Sequence, residues 1–177
     1  MERLALVIAR WNENLNWLAA YPGKKFIVQK GVHLPNEGRE ASSYLWFLAT
    51  QEIDPKVTYG FMQGDVSDHG VTPNKVHPVH SFTPLGTWRV TDDHEGRPHH
   101  PGLPLAEKFT EWFGKEPPRK FTFTAGANFL IPGELLLTYP KDLYADLWPR
   151  MGTEWEAPWC IERHWEYIWP GPHKETP

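Results

Sequence analysis

Cysteine is nearly absent from this chain of 177 residues, in which Cys160 is the only copy. An internal disulfide is therefore excluded, and the cysteine content does not indicate an oxidising compartment. Apolar runs are also short, since none approaches the ~20 residues that a membrane-spanning helix requires. The N-terminal residues have too short an apolar stretch, and no small-residue cleavage site, for a signal peptide. We therefore expect a cytoplasmic protein without a membrane span.

Positive charge is scarce as well. The chain has 18 Lys and Arg residues against 22 Asp and Glu residues, which gives a formal charge of -4. A general nucleic-acid binder normally carries a basic face, so this balance argues against nucleic acid as a partner or substrate. One or two Arg side chains still suffice to hold a small phosphate-bearing ligand.

Tryptophan, proline and glycine are abundant by contrast, with 10, 18 and 14 copies. So many helix-breaking residues exclude a simple helical bundle. So many indoles must either be buried or bind something flat. The length suits one domain, for which we predict residues 1–170, followed by a polar tail at residues 171–177.

The first third of the chain alternates strand and helix patterns. Leu4–Ala9 is a continuous apolar run, as expected of a strand buried on both faces of a sheet, and Lys24–Lys30 and Val57–Met62 follow as further strands. Between these two, Arg39–Glu52 carries apolar residues at helical spacing. This order predicts an α/β fold with a mostly parallel central sheet flanked by helices.

The remainder divides into a long irregular insertion and further elements. Residues 71–104 hold six prolines and five histidines without periodicity, and a connection of that length is usually functional. Phe121–Ile131 is interpreted as one strand with a bulge at its Ala-Gly-Ala cluster. Three helices are predicted: Leu105–Phe113, Leu143–Trp148 and Ala157–Trp169. On the last helix, we expect an apolar stripe to be buried and the charged residues to face elsewhere.

Candidate metal ligands follow the third predicted strand, at Asp65, Asp68 and His69. Ligands of open α/β sheets bind outside the carboxyl ends of the strands. Two carboxylates and an imidazole there would suit a divalent cation, Mg²⁺ or Mn²⁺. The alternative is an Asx-type turn with one solvated and one capping Asp. The histidines between positions 77 and 100 lack the spacing of a structural zinc site and are interpreted as loop residues.

A candidate anion site opens the first predicted helix, at residues Asn36–Glu40. The free N–H groups of a helix start attract anions, and Arg39 can add a bidentate grip on a phosphate or carboxylate. The alternative is an Asn cap, a permissive glycine and an exposed Arg–Glu face.

A candidate general base, Glu162, lies on the last predicted helix among several tryptophans that can wall a site. The alternative is that its neighbour Arg163 pairs with Glu166 or Tyr167 on a solvated helix face.

Taken in order, several short motifs carry a resemblance that spans most of the chain. They are Asn36–Glu40 (Asn-x-Gly-Arg-Glu), Phe61–Gly64 (Phe-x-Gln-Gly), Gly126–Phe129 (Gly-Ala-x-Phe) and Glu162–Trp165 (Glu-Arg-x-Trp). The chain resembles an uncharacterised domain-of-unknown-function family found in fungal and microbial proteins. That pattern is in turn distantly similar to glycosyltransferases of the GT-A fold.

The GT-A resemblance implies a Rossmann-like nucleotide-binding architecture and a nucleotide-sugar as co-substrate. It implies donor contacts from the residues at the carboxyl ends of the strands and at the helix start, which are Arg10, Asn12, Glu13, Asn36, Arg39 and Gln63. Gln63 stands where the first Asp of the family's metal-binding Asp-x-Asp is expected, so Asp65, Asp68 or His69 would have to hold the cation.

The leading hypothesis is a glycosyltransferase-like enzyme in which Glu162 deprotonates an acceptor hydroxyl on a carbohydrate or another molecule. The alternative hypothesis is a non-catalytic carbohydrate- or nucleotide-binding module on the same scaffold.

Overall fold

The computed structural model describes residues 3–169, except for the side chain of Asp68. The predicted tail at residues 171–177 lies outside this range. The first three strands of the chain are neighbours in the main sheet. β1 (Arg3–Arg10) pairs in parallel with β2 (Lys24–Gln29) on one side and with β3 (Val57–Gln63) on the other. The apolar runs of the sequence thus form parallel strands, as predicted.

The sheet is completed by two strands from later in the chain. β4 (Thr83–Pro84) and β7 (Phe129–Pro132) extend it in the order β2-β1-β3-β7-β4, with β7 antiparallel to both of its neighbours. The α/β class is confirmed, but the sheet is mixed, with two parallel and two antiparallel pairings.

The predicted single strand over Phe121–Ile131 is wrong. The chain forms β6 (Phe121–Thr124), which pairs with β5 (Arg89–Asp92) in a separate two-stranded sheet, and then turns before β7. Gly126 and Ala127 make the turn, with φ of 98° and 46°. Both angles lie in the left-handed region, where the chain leaves the extended direction of a strand.

The helices pack against one face of the main sheet. They are α1 (Arg39–Thr50), α2 (Leu105–Phe113), α3 (Gly133–Leu136), α4 (Lys141–Thr153) and α5 (Ala157–Ile168). The predicted α1 and α2 are confirmed within two residues, whereas α4 is longer than predicted and continues through Pro149. Alternate residues of β1, namely Ala5, Val7 and Ala9, point into this helical core.

The opposite face of the sheet has no helical layer of that kind among the described residues. Leu6 and Ile8 of β1 face short 3₁₀ turns and loops instead, with Val71, Val76 and Leu85 of the long insertion among the covering residues. The insertion at residues 71–104 is therefore built into the fold as the cover of one sheet face. Within the described residues, the predicted flanking helices therefore lie on one face of the sheet.

Most of helix α5 is buried, including charged residues. Besides the predicted apolar stripe, Glu162, Arg163 and His164 are all at most 8% exposed, so Arg163 does not lie on the solvated face of the alternative interpretation. Burial lowers the pKa of His164 to about 3, and its Nε2 lies 3.0 Å from the carbonyl oxygen of Leu105. Helix α5 is buried because β6, α1 and α2 all pack against it.

None of the described helices has the length and apolar character needed to cross a membrane.

Candidate ligand-binding site

A cavity of about 380 Å³ opens at the carboxyl ends of β1 and β3, beside the first turn of α1. Because parallel strands end at the same edge of a sheet, residues distant in sequence meet there. Six of the predicted site residues line it: Arg10, Glu13, Asn36, Arg39, Gln63 and Asp65. Glu40 of the predicted anion site lines it as well, and so do Trp11 and Lys30.

The segment after β1 is held in place by its own hydrogen bonds. Arg10 donates from Nη1 to Oε1 of Gln29 at 2.6 Å and from Nε to the carbonyl of Glu13 at 3.1 Å. The carboxylate of Glu13 accepts the backbone N–H of Trp11 at 2.7 Å. Glu13 also lies against Gly64, where a Cβ would come within 2.6 Å of its Oε2. This wall of the cavity is therefore ordered before any ligand arrives.

The loop that enters α1 has an unusual backbone. Gly38 and Arg39 have φ of 67° and 51°, and Arg39 is one of two non-glycine residues with positive φ among those described. The ammonium of Lys30 donates to the carbonyl of Glu37 at 2.8 Å and to that of Arg39. The hydroxyl of Ser42 donates to the same two carbonyls, at 2.7 and 3.0 Å. Strained backbone of this kind persists only where surrounding contacts hold it, and it concentrates at functional sites.

This strain can be tested by substituting Arg39. A left-handed conformation costs a residue with a Cβ about 1–2 kcal/mol, whereas glycine adopts it freely. We therefore expect Arg39→Gly to be more stable than Arg39→Ala by about 1 kcal/mol in urea unfolding, since both variants lose the same guanidinium. At Asp146, an exposed position inside α4, the order should reverse, because glycine is the worse helix former there. Equal stability of the two Arg39 variants would contradict the strain.

The charges in the cavity are mixed. Burial raises the pKa of Glu40, and the nearby Glu162 carboxylate raises it further, against the opposing effects of Arg39 and a hydrogen bond with Gln63. Burial lowers the pKa of Lys30, opposed by Glu40 and Glu13. The ammonium of Lys30 spends two of its three donors on backbone carbonyls, so Arg39 is the more available cation for an anionic ligand. The cavity thus combines a cation that can bind an anion, Arg39, with a carboxyl group that can exchange a proton, Glu40.

Glu162, the predicted base, is placed deeper than the cavity lining. It is 8% exposed, its Oε1 accepts the backbone N–H of Gly126 at 2.9 Å, and its Oε2 lies 3.5 Å from Nη1 of Arg163. It lines a smaller recess together with Ala127 and Asn128. Its carboxylate acts on the pKa of Glu40, which belongs to the lining of the larger cavity. The catalytic role of Glu162 stays a prediction.

Asn12, a predicted nucleotide contact, is exposed and does not line the cavity. Its role as a nucleotide contact stays a prediction, and the proposed function does not depend on it.

Of the predicted metal ligands, Asp65 and His69 have side chains in the described part of the chain. Oδ1 of Asp65 accepts the backbone N–H of Ser67 at 2.9 Å and its hydroxyl at 2.7 Å, which is the Asx turn of the alternative interpretation. These two bonds lower the pKa of Asp65. The ring of His69 packs on Gly126, where a Cβ would lie 2.5 Å from its Nδ1. The side chain of Asp68 lies outside the described part.

No group of three or more His, Cys, Asp or Glu side chains fit to hold a metal ion is found within residues 3–169, the Asp68 side chain apart. The binding of a divalent cation stays a prediction, and no step of the proposed reaction depends on it.

A buried ionic chain, which the sequence analysis missed, supports α5 from behind the site. Asp92 is 0% exposed, and its Oδ2 accepts Nε of Arg163 at 2.8 Å. Its Oδ1 accepts the backbone N–H of His99 at 3.2 Å and lies 2.7 Å from Nδ1 of the same residue. Arg163 in turn donates to the carbonyl of Trp159 at 2.9 Å. A buried charge pair of this kind fixes where α5 lies relative to the 89–102 segment.

Comparison with known proteins adds no relative. No family model matches the chain, and no curated protein or solved structure does so. The resemblance to the domain-of-unknown-function family and to GT-A glycosyltransferases therefore rests on the sequence motifs alone. The function has to be argued from the residues of the site.

Proposed function

We propose that the protein is a glycosyltransferase-like enzyme that moves a sugar from a nucleotide-sugar to a hydroxyl of a carbohydrate or another acceptor. The cavity of about 380 Å³ carries this proposal, because it joins Arg10, Lys30 and Arg39 at the carboxyl edge of parallel strands and at a helix start. Those are the places where phosphate groups bind in nucleotide-binding α/β proteins. A GT-A-like architecture is part of the proposal and is supported by the parallel order β2-β1-β3.

In the proposed reaction the acceptor oxygen forms a bond to the anomeric carbon of the sugar. The bond from that carbon to the phosphate oxygen breaks, and the nucleoside diphosphate leaves with the electron pair. Arg39 and Arg10 would stabilise the negative charge that develops on the leaving group, which is where fixed charges contribute most to such a reaction. The proton of the acceptor hydroxyl goes to a carboxylate, for which Glu162 is the candidate from the sequence and Glu40, in the lining of the cavity, is the alternative.

A second candidate function is a non-catalytic nucleotide- or carbohydrate-binding module. One observation favours it: both carboxylate oxygens of Glu162 already face protein partners, the N–H of Gly126 and the guanidinium of Arg163. A base engaged in this way must give up a contact before it can take a proton. Turnover, rather than binding, separates the two functions.

Donor binding is tested by thermal unfolding with uridine, guanosine and cytidine diphosphate sugars, each with and without Mn²⁺. At 100 times its Kd a ligand stabilises the folded state by about 2.7 kcal/mol. For a chain of this size we expect a rise in Tm of roughly 5–10 °C with the cognate donor. Arg39→Ala should abolish the rise. Arg3→Ala, at the other end of the same strand as Arg10, should keep it.

A wild-type protein whose Tm responds to no nucleotide-sugar would overturn the transferase proposal. Where a donor binds, its hydrolysis or transfer is measured by release of the nucleoside diphosphate. Glu162→Gln should stop this release while donor binding persists. Undiminished release in Glu162→Gln together with its loss in Glu40→Gln would move the base to Glu40, and no release in the wild type would leave a binding module.

A further inference from the structure

A row of aromatic side chains leads away from the cavity. The guanidinium of Arg39, which lines the cavity, lies 4.1 Å from the centroid of the Trp159 ring. The Trp159 ring meets that of His100 edge-on at 4.7 Å, and the His100 ring lies 6.3 Å from that of Trp155. We call Trp159, His100 and Trp155 the aromatic row. It is continuous with the cavity through Arg39.

The aromatic row is held by the fold rather than by chance contacts. The carbonyl of Trp159 is tied to Arg163, whose guanidinium is anchored on the buried Asp92. The backbone N–H of His100 donates to the carbonyl of Gly96 at 2.6 Å, and its neighbour His99 is bound to Asp92 by two contacts. The long insertion and helix α5 thus present one preorganised surface. A preorganised surface loses little conformational entropy when it binds a ligand.

The outer member of the row is conspicuously open. Trp155 is 66% exposed at the turn between α4 and α5, and Trp159 and His100 are half-buried beside it. A large indole left in water next to other rings marks a surface that contacts a ligand or partner. Trp88 is as exposed, at 67%, but takes part in none of the ring contacts found among the described residues.

The chemistry of the row suits an uncharged, ring-shaped ligand. Indole faces pack against the C–H faces of such rings, and the polar rim of the ligand needs neutral donors and acceptors. Burial, assisted by Arg163, lowers the pKa of His100 and so favours the neutral ring, which has one hydrogen-bond donor and one acceptor. The net charge of -4 further disfavours a polyanion at this surface.

We propose that the aromatic row is the acceptor subsite of the enzyme and that its ligand is a neutral saccharide, whose rings stack on Trp155 and Trp159 while a terminal hydroxyl reaches the cavity at Arg39. This inference rests on the proposed function, because it places the acceptor next to a donor held in the cavity. It also gives the insertion at residues 71–104 a second role, since His100 comes from that segment.

The test is an array of neutral oligosaccharides probed with fluorescently labelled wild-type protein, Trp155→Ala and Trp88→Ala. We expect the wild type and Trp88→Ala to bind the same saccharide class, and Trp155→Ala to bind it at least tenfold more weakly. The two variants remove equally exposed indoles, so a general loss of surface apolar area affects both alike. Equal binding by Trp155→Ala and the wild type would overturn the proposal, and so would the absence of any bound saccharide.

Two further measurements distinguish a failure of the acceptor subsite from a failure of the proposed transferase function. If nucleotide-sugars raise the Tm of the wild type but no saccharide binds, the donor site stands and the acceptor subsite is wrong. If saccharides bind through Trp155 but no nucleotide-sugar does, the transferase proposal fails and the acceptor role of the row fails with it. Self-association that is lost in Trp155→Ala, measured by sedimentation, would assign the row to a contact between copies of this chain and overturn the saccharide.

Discussion

Replacing Asp92 with Asn should lower the free energy of unfolding by about 3–5 kcal/mol, because removal of one partner from a buried ion pair leaves the other charge uncompensated. Asp92 and Arg163 are 0% and 4% exposed, and 2.8 Å separates Oδ2 of the first from Nε of the second. For a chain of this length such a loss corresponds to a fall in Tm of roughly 6–20 °C. Urea unfolding followed by tryptophan fluorescence measures it.

The chain offers a matched control in the neighbouring Asp93. That residue also pairs with an arginine, Arg97, but the two side chains are 38% and 57% exposed, so Asp93→Asn should change the urea midpoint much less than Asp92→Asn does. In the background of Arg163→Met, the Asp92→Asn substitution should cost much less than in the wild type, since no buried charge is then left unpaired. Similar losses of unfolding free energy for Asp92→Asn and Asp93→Asn would show that the buried ion pair contributes no more to stability than the exposed one.

Gly38→Ala should destabilise the protein by about 2–6 kcal/mol, as the sum of a backbone and a packing cost. Its φ of 67° disfavours any residue with a Cβ. A Cβ at this position would also lie 2.6 Å from Cβ of Met151 and 2.7 Å from its carbonyl carbon and oxygen, so α1 and α4 would have to separate. Because Arg39 is the next residue, the affinity for a nucleotide-sugar should fall at least tenfold as well.

Gly114→Ala measures the backbone part of this effect alone. Gly114 has a similar φ of 61°, but nothing lies within 4 Å of the position that its Cβ would take. The Gly114 variant should lose only about 1 kcal/mol in urea unfolding. A Gly38 variant that loses no more than the Gly114 variant would rule out the contact with Met151 as a determinant of stability.

The early strands and α1 were predictable because their signals are local. A continuous apolar run at Leu4–Ala9 and helical spacing from Arg39 onward need no distant partner to be interpreted. The edge of a parallel sheet then brought six predicted residues into one cavity. Lys30 was missed as a member of that cavity, although it ends a predicted strand.

What failed depended on contacts far apart in the chain. The alternation over Phe121–Ile131 suggested one strand, and only the left-handed pair at Gly126 and Ala127 divides it between two sheets. For Arg163 on α5, the alternative interpretation was a solvated helix face. That face is buried because Asp92, 71 residues earlier in the chain, supplies the counter-charge for Arg163. No local pattern encodes a partner at that distance.

The position of β7 inside the main sheet has a consequence for synthesis of the chain. β3 is an inner strand in the finished sheet, but its neighbour on one side, β7, begins only at Phe129. A ribosome-bound chain that has emerged through Gln63 therefore carries β1, β2 and β3. The backbone N–H and C=O groups of β3 that later bond to β7 are then unpaired. Exposed edges of this kind invite pairing between nascent chains. The sheet closes at its centre only after about three quarters of the polypeptide has been made.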